Sequence, residues 1–220
     1  MGWSCCKNPR PVAEHDFETV NSETVYVGNI FALRADEVRM PGGSTARREV
    51  VEHYGAVAIA ALDDDGNIAL VYQYRHPLGR RLWELPAGLL DMDGEPPHVT
   101  AARELHEEAG LSAAQWRVLV DLDPAPGSSD ESVRVFLATG ISEIDRPDAH
   151  DEEADLIVKR VPLSEAVRMV LSGKIVNSIA VAGILAVHAL DVSAHGVESL
   201  RPVDAEWTDR PRAFARRKGH

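Results

Sequence analysis

Beyond residue 12, apolar and polar positions alternate along the chain in short stretches with a period near two. Such alternation is typical of β-strands that bury one face. The pattern predicts strands at 24–31, 33–40 and 45–53, with a proline–glycine turn at 40–44. Together these strands predict a small antiparallel β domain over residues 13–54.

A second group of strands is predicted further along the chain. Residues 55–62 are small and apolar throughout, as expected of a strand that is buried on both faces. Aspartates and a glycine at 63–67 then predict a hairpin turn. Apolar stretches of strand length recur after this turn and predict strands at 68–75, 82–88, 116–121 and 132–138.

Three segments have the periodicity of helices. The segment 97–109 has one apolar face, and Gly110 follows it as a C-terminal stop. Two more helices are predicted at 161–172 and 176–190. Because the last of these is apolar nearly all round, we expect it to be buried or to lie in a subunit interface.

The order of these elements predicts an α/β fold in which helices flank a mixed sheet. We divide the chain into a disordered extension at 1–12, an N-terminal β domain at 13–54, a main domain at 55–190 and a C-terminal tail at 191–220. The tail is polar and ends in a basic cluster at 210–218. We interpret this cluster as solvated and not as an arm that binds nucleic acid.

Charge and composition argue against several classes of function. The 220 residues carry a formal net charge of −12, which disfavours binding to nucleic acid or to an anionic membrane surface. No apolar run is long enough to cross a bilayer, and the nearest, 179–190, contains His188. The two cysteines, Cys5 and Cys6, are adjacent and provide no disulfide framework, as expected in the cytoplasm.

The segment Arg103–Leu111 carries the most specific chemical pattern in the chain. In a helix, Glu104, Glu107 and Glu108 lie at positions i, i+3 and i+4, so their carboxylates share one face. Like charges at this spacing repel each other, and only one arginine and one histidine are near enough to offset them. A divalent cation such as Mg²⁺ or Mn²⁺ requires such a cluster of oxygen ligands.

This segment resembles the Nudix box, the signature of the Nudix hydrolases. The family pattern reads Gly, five residues, Glu, seven residues, then Arg-Glu-aliphatic-x-Glu-Glu-x-Gly-aliphatic. Glu95 lies at the family distance before Arg103, and it is either a weak metal ligand or a carboxylate favoured by the helix dipole. Gly88 lies one residue too far before Glu95, so 89–94 carries an insertion of one residue. Loops between elements tolerate such insertions, and the helical carboxylates keep their register.

The resemblance implies a Nudix α/β/α sandwich and covers roughly residues 50–175. The strands that precede it resemble the additional N-terminal domain of the ADP-ribose pyrophosphatase branch. In that branch the domain is exchanged or packed across a dimer, and each substrate site borrows residues from the partner. The resemblance therefore implies a homodimer with composite sites.

The resemblance also implies roles for particular residues in catalysis. Glu104 and Glu108, one helical turn apart, are the leading metal ligands, and the backbone carbonyl of Ala87 completes the shell. In a second acidic loop, Glu153 matches the catalytic glutamate of the branch, both as the base and as a metal ligand. Glu107, on the helix, is the alternative base.

Substrate contacts are implied in the same way. Arg75 resembles the arginine that contacts phosphate, and Arg48 resembles the arginine that the N-terminal domain brings to the substrate. Asp130 lies in a loop that the branch places near the terminal ribose, and Leu89 is assigned to the substrate site. Pro126 fits the proline that marks ADP-ribose specificity in the branch.

These implications predict an enzyme that uses Mg²⁺ or Mn²⁺ to hydrolyse ADP-ribose to AMP and ribose 5-phosphate. One alternative is a Nudix pyrophosphatase for another nucleotide sugar, a dinucleotide polyphosphate or an oxidised nucleotide. A different class is a Nudix-like domain that senses ADP-ribose without cleaving it. Because degenerate sensors usually lose helix glutamates and this chain retains all three, we favour catalysis.

Overall fold

The computed structural model of the chain describes residues 15–147, 155–192 and 196–219. Within these ranges eleven strands form three sheets. In chain order the strands are β1 (Thr19–Val27), β2 (Phe31–Arg39), β3 (Thr45–His53), β4 (Ala56–Ala61), β5 (Asn67–Arg75), β6 (Arg80–Glu84), β7 (Ala87–Leu89), β8 (Leu111–Leu122), β9 (Val133–Glu143), β10 (Ile157–Pro162) and β11 (Arg201–Pro202).

The N-terminal strands form a separate antiparallel sheet in the order β1-β2-β3. All nine residues of β1 are exposed, whereas β2 buries Ala32 and Ala35. The predicted small antiparallel sheet at the N-terminus is therefore confirmed.

The other strands form two neighbouring sheets. The five-stranded sheet has the order β11-β8-β9-β4-β7, and the three-stranded sheet has the order β10-β5-β6. Strands β4 and β9 run parallel, and the other paired strands are antiparallel. The five-stranded sheet is therefore mixed, as predicted.

Helices cover the five-stranded sheet on both faces. They are α1 (Pro97–Ala109), α2 (Leu163–Leu171), α3 (Ser178–Val192) and the short α4 (Ala213–Lys218). Helix α1 packs on β4, β7 and β8, whereas α3 packs on β4, β8 and β9 together with α2. Within the described ranges, no helix combines the length and the apolar character that crossing a bilayer requires.

Strand β4 shows why the sheet is buried on both faces. Val57 and Ile59 belong to the same apolar cluster as Leu105 of α1. Ala58 and Ala60 point the other way, into the cluster that includes α3. Because successive side chains of a strand point to opposite faces, a continuous apolar run is what this two-sided burial requires.

The predicted elements agree with the structure at α1, whose bounds are the same, and differ after residue 156. Residues 157–162 form strand β10, and α2 begins only at Leu163, whereas the sequence predicts a helix from residue 161. Strand β10 lies at the edge of its sheet, and most of its residues are exposed or half-buried. Such an edge strand lacks the clean alternation that identifies a strand in a sequence.

The basic residues at 216–218 are exposed, as predicted, but α4 is not a free tail. Phe214 is fully buried, and its ring lies 4.6 Å from that of Tyr54. Arg217 donates from Nη2 to Glu52 Oε1 at 3.0 Å, and Glu52 is itself buried. Helix α4 therefore packs on the N-terminal sheet, through contacts that join distant parts of the chain.

Candidate active site

Helix α1 presents its apolar face to the sheet and its acidic residues to strand β7. The helix starts at Pro97, where a missing backbone N–H is not needed, and ends before Gly110, which has a φ of 64°. Thr100, Ala101 and Leu105 are fully buried against the sheet. The carboxylates of the predicted metal site extend from the part of the helix beside β7.

Gly88, in the middle of β7, lets a carboxylate lie directly against the strand backbone. A Cβ atom added at Gly88 would overlap the carboxyl group and the Cγ atom of Glu104. Gly88 is not one of the glycines with positive φ, so the backbone angles do not require glycine there. The requirement is space, because the side chain from α1 occupies the position of the missing Cβ.

Glu108 is held at the same strand by a backbone hydrogen bond. The N–H of Ala87 donates to Glu108 Oε2 at 2.9 Å, and Glu108 is only 7% exposed. Glu104 and Glu108 therefore converge on neighbouring residues of β7. The structure brings together the three predicted ligand residues Ala87, Glu104 and Glu108.

Arg103 lies among the carboxylates and corrects the expectation that they lack a strong counter-charge. Its Nη1 donates to Glu104 Oε1 at 2.8 Å and to Glu107 Oε2 at 2.9 Å, and its Nη2 donates to Glu95 Oε2 at 3.3 Å. Burial by itself lowers the pKa of Arg103, but the hydrogen bond to Glu95 and the charge of Glu104 raise this pKa above its ordinary value.

Three of the acidic side chains of this region are arranged around Arg103. Within the described ranges, no group of three or more Asp, Glu, His or Cys side chains is arranged to hold a metal ion. Glu95, Glu104 and Glu107 instead surround the guanidinium of Arg103. The buried Nε of Arg103 has no hydrogen-bond partner among the residues that the structure describes.

Glu95 anchors the start of α1. The hydroxyl of Thr100 donates to Glu95 Oε2 at 2.7 Å. This hydrogen bond lowers the pKa of Glu95, and Arg103 lowers it further, although burial acts in the opposite direction. Glu95 therefore contacts residues at the start of the helix, and its role as a metal ligand stays a prediction.

A cavity of about 370 Å³ lies beside β7 and contains Arg75. Arg75 donates from Nη2 to Glu84 Oε2 at 2.6 Å and from Nε to Glu84 Oε1 at 3.0 Å. Gln73 donates to the same carboxylate at 3.2 Å, and Glu84 is 3% exposed. A buried carboxylate therefore fixes the orientation of the Arg75 guanidinium at the cavity wall.

The opposite part of the cavity is formed where β3 ends. His53 and Glu131 line it, with His53 Nδ1 3.9 Å from Glu131 Oε1. The backbone N–H of His53 donates to Asp130 Oδ1 at 2.8 Å. Burial raises the pKa of Asp130, and the hydrogen bond from His53 opposes this change. Asp130 thus joins its loop to the end of the N-terminal sheet.

The family follows from comparison with known protein domains. The NUDIX domain profile matches residues 51–178, which include the whole of β4 to α2. The chain belongs to the Nudix family. A second profile, the nucleoside diphosphate sugar hydrolase N-terminal domain, matches residues 17–51 and therefore most of the N-terminal sheet.

Two relatives are similar to this chain over most of its length. The ADP-ribose pyrophosphatase of Mycobacterium tuberculosis is 67% identical over 207 residues, which are 94% of this chain and 99% of that protein. The methanol dehydrogenase activator of Bacillus methanolicus is 36% identical over 161 residues, which are 73% of this chain and 86% of that protein.

The fold of this Nudix chain is also found in a crystal structure of an ADP compounds hydrolase. The two structures superimpose with a TM-score of 0.69, over 80% of this chain and 95% of the other. Because the sequences are only 21% identical, this likeness concerns the fold alone. The expected Nudix fold is thereby confirmed.

The structure places the remaining predicted residues in three different ways. Leu89 lines the cavity with Arg75. Arg48 lies on exposed β3, where its Nη1 donates to the carbonyl of Arg47 at 2.9 Å, and it does not line the cavity. Glu153 lies outside the described residues, so its predicted roles stay predictions.

Two polar residues of this site, Glu84 and Gln73, are not among those predicted from the sequence. Each lies in a predicted strand with mostly apolar neighbours. A polar residue that is buried in a strand needs a partner, so both could have been identified as candidates for a buried polar contact. Their pairing with Arg75 depends on the alignment of β5 with β6, which the sequence did not reveal.

Proposed function

We propose that this chain hydrolyses ADP-ribose to AMP and ribose 5-phosphate. The observation that carries the proposal is the 67% identity to the ADP-ribose pyrophosphatase of Mycobacterium tuberculosis over nearly the full length of both chains. The geometry of the site supports it, because two carboxylates converge on β7 beside a cavity with a fixed arginine.

A divalent cation, Mg²⁺ or Mn²⁺, fits the residues at β7. Glu104 and Glu108 would hold it together with the carbonyl of Ala87, and Glu153 would be a further ligand. The donors are all oxygens, which these hard cations prefer. Gly88 gives the Glu104 carboxylate room beside the strand, and bound cations would add positive charge to that of Arg103.

Hydrolysis forms a bond between the oxygen of water and one phosphorus and breaks the bridging P–O bond. When bound, the metal ions would neutralise phosphate charge and lower the pKa of water. Glu153, or alternatively Glu107, accepts the proton of the attacking water, and the departing phosphate oxygen keeps the electron pair of the broken bond. Arg75, oriented by Glu84, offsets the charge of the substrate phosphates.

Substrate preference is the direct test of the proposal. The kcat/KM for ADP-ribose should exceed those for ADP-glucose, FAD and 8-oxo-dGTP by about tenfold or more, the effect of one good recognition group. A site that grips both the adenosine and the terminal ribose rejects substrates that lack one end, because its polar groups are left unpaired. Release of nucleoside monophosphate with and without Mg²⁺ measures this preference.

The same assay distinguishes the alternatives. Faster hydrolysis of another compound would keep the Nudix chemistry and replace the substrate, and the different name of the Bacillus methanolicus relative makes this comparison necessary. Binding of ADP-ribose without hydrolysis, at saturating Mg²⁺ or Mn²⁺, would favour a sensor.

We also propose a cytoplasmic location, because Cys5 and Cys6 are adjacent and provide no disulfide framework.

The base is tested by two single substitutions. Glu153→Gln should lower kcat by about tenfold to a hundredfold, less than the full effect of a general base because Glu107 remains. Metal binding should weaken far less than kcat falls. Loss of activity in Glu107→Gln, together with a silent Glu153→Gln, would place the base on α1 and contradict the loop assignment.

We propose a homodimer whose N-terminal sheets complete each other's substrate sites. Val25, Tyr26, Val27 and Ile30, on or next to β1, are about half exposed. A cluster of exposed apolar side chains on one edge of a small sheet marks an interaction surface. Arg48 lies on the same sheet, away from the cavity of its own chain, where a partner subunit could use it.

The dimer proposal predicts a specific effect of Arg48. Arg48→Gln should lower kcat/KM for ADP-ribose by about tenfold, because one charged contact to phosphate is lost. Light scattering should give the mass of a dimer for both proteins. A monomer that remains fully active at nanomolar concentration would contradict the composite site.

A further inference from the structure

A second cavity, of about 560 Å³, lies between the loop 91–96 and the C-terminal segment 210–216. Its volume falls within the range of roughly 300–1,000 Å³ that is usual for small-molecule sites. Its lining does not include Ala87, Glu104 or Arg75, so it is distinct from the cavity beside β7. It combines two features that the proposed hydrolysis does not explain, the loop with the inserted residue and the basic cluster.

Three arginines form one wall of this cavity without a counter-charge. Arg210, Arg212 and Arg216 line it, and none of them forms an ion pair with another residue that the structure describes. Arg216 donates from Nε to the backbone carbonyl of Arg212 at 3.2 Å. Burial lowers the pKa of Arg210, and the charge of Arg212 lowers it further.

The segment that carries these arginines is held in place by Pro211, Phe214 and Arg217. Pro211 packs closely on Gly55, because a Cβ atom added at Gly55 would lie only 2.9 Å from Cγ of Pro211. Phe214 is buried against Tyr54, and Arg217 donates to Thr24 Oγ1 at 2.7 Å. This anchoring holds the three cationic residues at the cavity, although their mutual repulsion opposes it.

The opposite wall is acidic. Asp91 and Asp93 line the cavity. Burial raises the pKa of Tyr54, and the negative charge of Asp91 raises it further. Glu95 also lines the wall, but its carboxylate already accepts hydrogen bonds from Thr100 and Arg103. No ion pair joins the arginine wall to the acidic wall among the described residues. The cavity is therefore lined by guanidinium donors on one side and by carboxylate acceptors on the other.

We propose that this cavity binds a phosphate monoester of a sugar, with the phosphate at Arg210, Arg212 and Arg216 and the sugar hydroxyls at Asp91 and Asp93. Arginines bind phosphate through charge-assisted hydrogen bonds, and carboxylates accept hydrogen bonds from sugar hydroxyls. In a chain with a net charge of −12, an unpaired cationic wall is a local exception that an anion would neutralise.

The experiment uses the full chain in EDTA, so that no metal-dependent substrate site contributes. Ribose 5-phosphate is titrated by calorimetry into the wild type, into Arg210→Gln and Arg212→Gln, and into the control Arg168→Gln. Arg168 lies on α2, is exposed and does not line the cavity. We expect each cavity variant to weaken binding by about tenfold or more and the control to bind like the wild type.

Four results would overturn the proposal or part of it. Absence of binding by the wild type, or unchanged binding by both cavity variants, would show that the cavity is not an anion site. Equal affinity for inorganic phosphate and ribose 5-phosphate would remove the role of the acidic wall. Binding should persist in Arg75→Gln, and its loss there would assign the ligand to the cavity beside β7. None of these readouts needs turnover of ADP-ribose, so they are independent of the proposed hydrolysis.

Thermal unfolding provides a second measurement. Ribose 5-phosphate should raise the Tm of the wild type and of Arg168→Gln, because a ligand that binds the folded state stabilises it. It should not raise the Tm of Arg210→Gln. In phosphate-free buffer Arg210→Gln should melt no lower than the wild type, because it loses an uncompensated charge. A clearly lower Tm there would mean that Arg210 has an anionic partner within the protein, against the proposal.

Discussion

Replacing Glu108 by glutamine should lower the rate of ADP-ribose hydrolysis by at least about two orders of magnitude, the loss typical of removing a key electrostatic group. Glu108 is buried at β7, and one of its carboxylate oxygens accepts a hydrogen bond from the N–H of Ala87. The amide of glutamine retains an acceptor for that N–H, so the helix should keep its position. What is lost is the negative charge, which a divalent cation needs from its ligands.

The measurement is kcat at several Mg²⁺ concentrations, with thermal unfolding of the same protein as a check on folding. Glu165→Gln is the matched control, because it makes the same change on α2, away from β7. The control should leave kcat unchanged. Near wild-type activity of Glu108→Gln at saturating Mg²⁺ would remove Glu108 from the metal site.

The place of Glu108 on α1 could be predicted because the signals that set the bounds of this helix are local. Helix α1 has a proline at its start and a glycine after its end, and its bounds follow from these two signals. The spacing of the glutamates then decides which of them share a face. The strands β2 to β5 could be located closely for the same reason, since turns separate their apolar stretches, whereas β1 spans Thr19–Val27 and the prediction was 24–31.

The ion pairs of Arg103 were partly accessible from the sequence. Arg103 and Glu107 are four residues apart on the helix, a spacing at which opposite charges pair. The additional contact with Glu95 depends on the path of the loop before α1. One guanidinium thus contacts three carboxylates, and simple counting of like charges on the helix overstated their repulsion.

The C-terminal helix could not be placed from the sequence. Phe214 and Arg217 contact Tyr54 and Glu52, which lie about three-quarters of the chain away. Neither the apolar period nor the charge of the tail shows such a partner, because α4 is short and half of its residues are basic. The contact between Arg75 and Glu84 has the same origin, since it depends on strand pairing.

The substitution of Gly88, the first glycine of the Nudix box, is the second change with a large expected effect. Gly88→Ala should reduce kcat on the order of a hundredfold, a loss that misplacement of a catalytic group by about 1 Å can produce. The added methyl group would overlap the carboxyl group of Glu104, which lies at the end of a flexible side chain. The side chain should therefore move away from β7 while the backbone stays, so the Tm should change little.

A double-mutant cycle tests whether Glu104 transmits this effect. If alanine at position 88 acts by displacing the Glu104 carboxylate, the double variant Gly88→Ala/Glu104→Gln should be about as active as Glu104→Gln alone, because the carboxylate is lost only once. Independent effects would instead multiply, and the double variant would be slower than either single variant by the product of the two losses. That result, or a large fall in the Tm of Gly88→Ala, would show that the glycine serves the fold of β7 and not the placement of Glu104.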